Sequence, residues 1–151
     1  MKKLYNKVKR FIEFRRKNIT VWSPCNIYPS AKIGKNVSIG MFSEIGPNVI
    51  IGENTRIGMG SFIPEGVEIG KNVFIGPRVT FTNDIYPPSP RSRWQKTFIH
   101  DDVSIGASVS VRAGVIIGKK ALIGMGSAVI KNIPAQQIWA GIPCKFIRKR
   151  N

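Results

Sequence analysis

Isoleucine returns every sixth residue through the first half of the chain, at Ile27, Ile33, Ile39, Ile45, Ile51, Ile57, Ile63, Ile69 and Ile75, with Phe81 next in register. Glycine follows seven of these nine isoleucines: Gly34, Gly40, Gly46, Gly52, Gly58, Gly70 and Gly76. Four places after each isoleucine stands a small or β-branched residue, namely Ala31, Val37, Ser43, Val49, Thr55, Ser61, Val67, Val73 and Val79. A six-residue period fits neither the 3.6-residue turn of an amphipathic helix nor a long two-residue alternation, so each unit is a short strand followed by a corner. Stacked coils place each isoleucine over another in an apolar column, β-branched residues suit the flats, and glycine is expected to supply the backbone angles of the corners. The pattern predicts an all-β protein, a parallel β-helix of hexapeptide repeats. A β-sandwich would space its turns at roughly 8 to 12 residues instead.

The register breaks after Phe81 and resumes with Ile99, Ile105, Val111, Ile117, Ile123 and Val129. The interval 82–98 carries Asn83, Asp84, Pro87, Pro88, Pro90, Arg91, Arg93 and Trp94. Proline lacks the amide donor that a ladder needs, so this interval is a loop leaving the solenoid. Its spacing is compatible with a loop that replaces part of a coil and with one extruded from a corner. A regular solenoid has little structural use for such an excursion, which marks it as a functional region. Three segments result: a basic amphipathic helix over 1–18, the hexapeptide β-helix over 19–133 with its loop at 82–98, and a C-terminal segment over 134–151. The helix sets Leu4, Val8, Phe11 and Ile12 on one face. It either caps the open end of the solenoid or rests on an anionic membrane surface. A short basic tail over 146–151 is compatible with a second helix.

A chain of 151 residues with 42% hydrophobic content fits one domain with a core of moderate size. No apolar run approaches the roughly 20 residues of a membrane span, and the N-terminus lacks the apolar block of a signal peptide. Cytoplasmic residence is therefore expected, with peripheral contact at the inner membrane face as a variant of it. The formal charge of +16 raises the question of nucleic acid, but the basic residues gather at the chain ends. Eight of twenty-four lie before residue 18, and Lys145, Arg148, Lys149 and Arg150 close the chain. The solenoid between lacks the interleaved aromatics of a nucleic-acid groove. Basic ends suit phosphorylated small molecules or anionic lipid equally. Cys25 and Cys144 lie far apart in the repeat array, without metal-ligand spacing, and are expected to be free thiols.

The hexads, the loop Phe81-Thr82-Asn83-Asp84-Ile85-Tyr86-Pro87 and the closing stretch Gly141-Ile142-Pro143-Cys144-Lys145 together resemble the hexapeptide-repeat acyltransferases. The resemblance runs from about Asn26 to Arg148. The loop is similar to that of the branch that N-acetylates amino sugars on nucleotide carriers, of the dTDP-3-amino-sugar and UDP-3-amino-uronate type. It implies a left-handed β-helix, a homotrimer, and acetyl-CoA as co-substrate in the groove between neighbouring subunits. A left-handed parallel crossover runs against the general rule, and periodicity does not reveal it.

Acyl transfer from a thioester needs a deprotonated nucleophile and a donor for the oxyanion. An amine with a pKa near 8 is partly free at neutral pH, whereas a sugar hydroxyl needs a positioned base, usually histidine. The chain has one histidine, His100, placed just after the loop. The loop offers Asn83 and Asp84 instead, which favours an amine acceptor. Asn83 and Asp84 are the catalytic candidates, with His100 as base if the acceptor is a hydroxyl. Asn83, Asp84, Tyr86 and Trp94 are the candidates for binding the sugar nucleotide, although Asn and Asp also stabilise turns. For the cofactor the resemblance points to the backbone at Gly106-Ala107 and Gly124-Met125 beside the pantetheine arm. It points to Lys131, Pro143, Lys145 and Arg148 around the adenine and phosphates, where basic side chains supply the required charge. A metal site is not expected, since a γ-type carbonic anhydrase on this solenoid would need three histidines. The expected activity is acetyl-CoA-dependent N-acetylation of a nucleotide-linked amino sugar for a surface glycan. An O-acetyltransferase using His100 and a non-enzymatic scaffold docking through the basic helix are the alternatives.

Overall fold

The computed structural model describes residues 12–151. Nearly every strand is two residues long, and the chain visits three parallel sheets in strict rotation. The first face takes Thr20–Val21, Ser38–Ile39, Arg56–Ile57, Phe74–Ile75, Ser104–Ile105 and Leu122–Ile123. The second takes Asn26–Ile27, Glu44–Ile45, Phe62–Ile63, Thr80–Phe81, Ser110–Val111 and Ala128–Val129, and the third runs from Lys32–Ile33 to Ile116–Ile117. Three hexads make one coil, and the coils wind as a left-handed parallel β-helix. Within each strand the second residue points inward, so Ile39, Ile45, Ile51, Ile63 and Ile75 are fully buried and Phe81 fills an isoleucine position. Each such side chain contributes about 1.5–3 kcal/mol of transfer free energy, which is what holds strands this short in place. The residue before it points outward, and that column carries the surface chemistry.

The glycines after the isoleucines do a different job from the one expected. None of the seven has positive φ. They are required because the next rung passes too close: a Cβ on Gly76 would lie 2.6 Å from the amide nitrogen of Ala107. Left-handed backbone is supplied mainly by other residues, above all at the corner between the third and first faces. There Asn18, Asn36, Asn54, Asn72 and Asp102 stack with φ of 52 to 61°. Asparagine tolerates this conformation and its side chain adds a second benefit. Each Nδ2 donates to the Oδ1 of the next residue, at 3.0, 3.0 and 3.2 Å between asparagines and 3.2 Å from Asn72 to Asp102.

The loop is extruded. Ile69 pairs with Ile99 thirty positions on, whereas Ile51 pairs with Ile69 eighteen positions on, so the excursion adds twelve residues at the corner between the second and third faces without interrupting any sheet. The excursion holds a short 3-10 turn, Arg91–Arg93, directly after its prolines.

The C-terminal tail is a strand rather than a helix. Lys145–Lys149 pairs antiparallel with Gln137–Ala140, which itself continues the first face beyond residue 133 in parallel with Leu122–Ile123. Without that hairpin the last rung would end on an open row of amides and carbonyls; antiparallel addition closes it, and edge lysines discourage further pairing. Trp139 lies beneath, edge-on to Phe146. At the other end most of the expected basic helix lies outside the described residues. Residues 12–16 are helical, and Phe14 and Ile19 pack against the core. No helix among the described residues is long and apolar enough to cross a membrane. Both cysteines are free, and Cys144 is buried.

Candidate active site

The loop root is the best-defined candidate site. Asp84 is tied into the loop: its Oδ1 accepts from the Tyr86 amide (3.0 Å) and the Ser89 hydroxyl (2.7 Å), and its Oδ2 accepts from the Ser89 amide (2.7 Å). The Ser89 hydroxyl holds this carboxyl below the usual carboxylate range, helped by the Ser89 and Tyr86 amides, against an opposing effect of burial that outweighs either amide alone. Asp84 is thus ionised at neutral pH and keeps acceptor capacity on Oδ2. Such a group aligns an amine and stabilises charge developing on its nitrogen. The Asn83 carbonyl accepts from the Gln95 amide at 2.9 Å, pinning the two ends of the excursion together. Two ion pairs fasten it to the coil: Arg91 to Glu65, and Lys96 to Glu68 at 3.0 Å. The Glu65 carboxyl is lowered chiefly by its bond to Arg91.

Under the loop runs a groove of about 310 Å³. Asn83, Arg91 and Trp94 form its roof, and Tyr28, Glu44 and Phe62 its floor, on the outer side of the second face and the corner beyond. Arg91 sits 6.0 Å from the Trp94 ring centroid, so the roof is a cation stacked on an indole. Tyr86 is exposed on the loop and lies outside this lining.

His100 lies elsewhere. It is exposed at the start of the corner between the third and first faces, in a recess of about 210 Å³ shared with Ile50, Glu68, Phe98 and Asp101. None of the loop-root residues borders that recess.

The cofactor candidates occupy a third place. Gly106-Ala107 and Gly124-Met125 stack on successive coils where the first face turns into the second. The Gly106 and Gly124 amides donate to the carbonyls of Ile123 and Trp139, both at 2.8 Å, and are thus consumed by the ladder. The Ala107 and Met125 amides have no protein acceptor among the described residues, and Met125 is highly exposed. These two are the amides open to a ligand. Lys131, Pro143, Lys145 and Arg148 are all exposed around the C-terminal hairpin, with the Lys131 ammonium 5.1 Å from the Trp139 ring. Basic charge beside an exposed corner is suited to a phosphorylated ligand. No group of three or more His, Cys, Asp or Glu among the described residues could hold a metal ion.

The structure therefore places the residues expected from sequence at three different corners of one protomer. Asn83 and Trp94 line one groove, while Asp84, next to Asn83 in sequence, lies outside that lining; His100 and the cofactor corner do not join them. Sequence reasoning missed Tyr28, Glu44, Phe62, Glu65 and Arg91 as companions of Asn83. Outward positions obey no period, and the available signal was an acidic residue on an outward position in a strongly basic chain.

Comparison with known proteins places this geometry in a family. The pattern described as Bacterial transferase hexapeptide (six repeats) matches residues 30–65, 48–83 and 96–131. A galactoside O-acetyltransferase of Lactococcus lactis is 42% identical over 82 residues, a stretch that is 50% of this chain and 40% of that enzyme. Among solved structures, AntD, an N-acyltransferase from Bacillus cereus in complex with dTDP and 3-hydroxybutyryl-CoA, superposes with a TM-score of 0.81 at 24% identity. That match covers 89% of this chain and 81% of AntD. A perosamine N-acetyltransferase variant of Caulobacter crescentus, in complex with CoA and GDP-perosamine, gives a TM-score of 0.73 at 18% identity, over 94% of this chain and 65% of the other. At these identities the two structures speak for the fold. Since the family pattern spans more than half of the residues, and the ladder realises every repeat it matches, the chain belongs to the hexapeptide-repeat bacterial transferases.

Proposed function

We propose that the protein transfers an acyl group, acetyl in the simplest case, from coenzyme A to the amine of an amino sugar carried on a nucleotide, in the making of a surface glycan. The observation that carries this reading is the loop root: Asn83 lines an aromatic groove that holds no imidazole, and its sequence neighbour Asp84, just outside that lining, is an ionised carboxylate with a spare acceptor. In this reading the uncharged amine attacks the thioester carbon. The Asn83 amide and the Asp84 carboxylate align it and stabilise the positive charge that forms on nitrogen; the carbon–sulfur bond then breaks, and the proton lost from nitrogen passes to the departing thiolate, so that coenzyme A leaves as the thiol. The Ala107 and Met125 amides face the pantetheine arm, and Lys131, Lys145 and Arg148 face the phosphates. Because the loop root and the cofactor corner are on different edges of one solenoid, the reading calls for a homotrimer in which the loop of one copy closes on the corner of the next.

Purified protein with acetyl-CoA and a panel of nucleotide-linked amino sugars, followed by thiol release, tests the proposal. Asn83→Ala is expected to lower turnover by about a hundredfold, a loss of about 2.7 kcal/mol in transition-state stabilisation. His100→Ala is expected to leave turnover within a factor of about three. A monomer at working concentration would overturn the trimer. The second reading, O-acetylation with His100 as base, is favoured by one feature: an exposed imidazole in a recess with Glu68 and Asp101, on the scaffold that a galactoside O-acetyltransferase shares. It predicts the reverse ranking of the two variants.

A further inference from the structure

The chain has eight acidic residues against twenty-four basic ones, so a carboxylate without a cation is unexpected. Glu13, Glu53, Glu65, Glu68 and Asp102 are in ion pairs, Asp84 is held by Ser89, and Asp101 accepts from the Lys71 amide. Among the described residues Glu44 is the acidic side chain that has neither an ion pair nor a side-chain hydrogen bond, although Arg91 lines the same groove. Arg91 is committed to Glu65 instead. Glu44 is half-buried on the floor, directly next to Phe62 on the neighbouring strand of the second face. Three aromatic rings surround it, each exposed by more than a third: Tyr28 by 38%, Phe62 by 40% and Trp94 by 37%. Exposed rings at this density are binding surface rather than core.

A carboxylate accepts hydrogen bonds and cannot donate them, while aromatic faces take flat rings. Resting on the reading that the acceptor is carried by a nucleotide, we infer that this groove holds the nucleobase, and that Glu44 admits bases whose ring edge presents an N–H. Uracil and thymine offer one between two carbonyls. Guanine offers a ring N–H beside an amino group, which matches the two oxygens of a carboxylate. With one carboxylate oxygen centred on that ring position, cytosine and adenine present a bare nitrogen whose lone pair faces it, and the neighbouring amino group is the one donor left to them. Trp94, backed by Arg91, closes on the base from above and contributes stacking that does not depend on which base is present.

The test is equilibrium titration of the full-length protein with UDP, dTDP, GDP, CDP and ADP, with no acyl donor present. CDP and ADP are expected to bind at least about tenfold more weakly than the other three, the loss of one charge-assisted hydrogen bond and its replacement by repulsion. In Glu44→Gln the amide donates as well as accepts, and the gap is expected to close to within about threefold. Trp94→Ala is expected to weaken all five by a similar factor and leave their order unchanged. The inference is overturned by equal binding of UDP and CDP to the wild type, by discrimination that survives in Glu44→Gln, or by no nucleotide binding at all. The wild-type panel decides the matter even should either variant fold poorly. Failure of the proposed reaction is separable: nucleotide discrimination without thiol release from any acceptor would remove the transferase reading and keep this one, and thiol release from a nucleotide-blind protein would do the opposite.

Discussion

Replacing Gly76 by alanine separates the two duties a corner residue can have. The added Cβ would stand 2.6 Å from the Ala107 nitrogen, 2.7 Å from the Gly106 carbonyl carbon and 3.0 Å from the Ala107 Cα, all backbone atoms. Carbon contacts settle at about 3.5–4.0 Å, so the neighbouring rung must retreat by about 1 Å. The bonds from Gly76 N to Ile105 O and from Ser108 N to Pro77 O, both 2.8 Å, span that gap, and such a retreat takes them past hydrogen-bond range. Two net hydrogen bonds at about 1 kcal/mol each, with a modest overpacking cost, give about 3 kcal/mol of destabilisation. Gly126 is the control: it has a φ of +68° and nothing within 4 Å of an added Cβ, so its alanine variant loses about 1 kcal/mol through backbone strain alone. Guanidinium denaturation followed by far-UV circular dichroism compares the two midpoints. Should Gly126→Ala prove as damaging as Gly76→Ala, rung proximity is not the reason for glycine after isoleucine.

Asp84 sets a pH limit on the loop. Its folded carboxyl is depressed below the ordinary value of 3.8, so the order it gives is complete above that value and is lost as pH falls through the depressed one. Hydrogen exchange at the Tyr86 and Ser89 amides should stay slow down to about pH 4 and accelerate below it; in Asp84→Ala it should be fast throughout. Arg91→Ala should leave global stability within about 0.5 kcal/mol, as for other exposed ion pairs, yet hasten proteolytic cleavage of the loop. An equal cleavage rate would show that the ion pair with Glu65 does not fasten it. Lys145→Ala with Arg148→Ala should weaken coenzyme A binding by about tenfold and flatten its salt dependence, with the circular dichroism spectrum unchanged. Unaltered calorimetry would remove that hairpin from the cofactor site.

The architecture is readable in the sequence because the inward column repeats one residue type at one interval: Ile45 needs only Ile27 and Ile63 above and below it for the coil to declare itself. The excursion at 82–98 is equally visible through its prolines. What the pattern hides is whatever depends on a neighbouring rung rather than on neighbours in sequence. Gly76 looks like a turn glycine until Ala107, thirty-one positions on, is found against it. The strand at Lys145–Lys149 is set by the bare edge it covers, which overrides a local preference. Glu44 and Asn83 line one groove from positions thirty-nine apart. Asn83 and His100 are seventeen apart and do not. Sequence distance misjudged both pairs, because in a solenoid the coil number and the corner, together, fix who meets whom.

The asparagine column at the far corner passes from Asn72 to Asp102 as if the step of thirty positions were one of eighteen. That edge of the solenoid carries no trace of the excursion, and its bonding would be the same for an insert of any length. A different insert grafted between Phe81 and Thr97 would meet an unaltered scaffold. New acceptor preferences are therefore accessible by exchanging a short peptide, and the frame around it need not be reinvented.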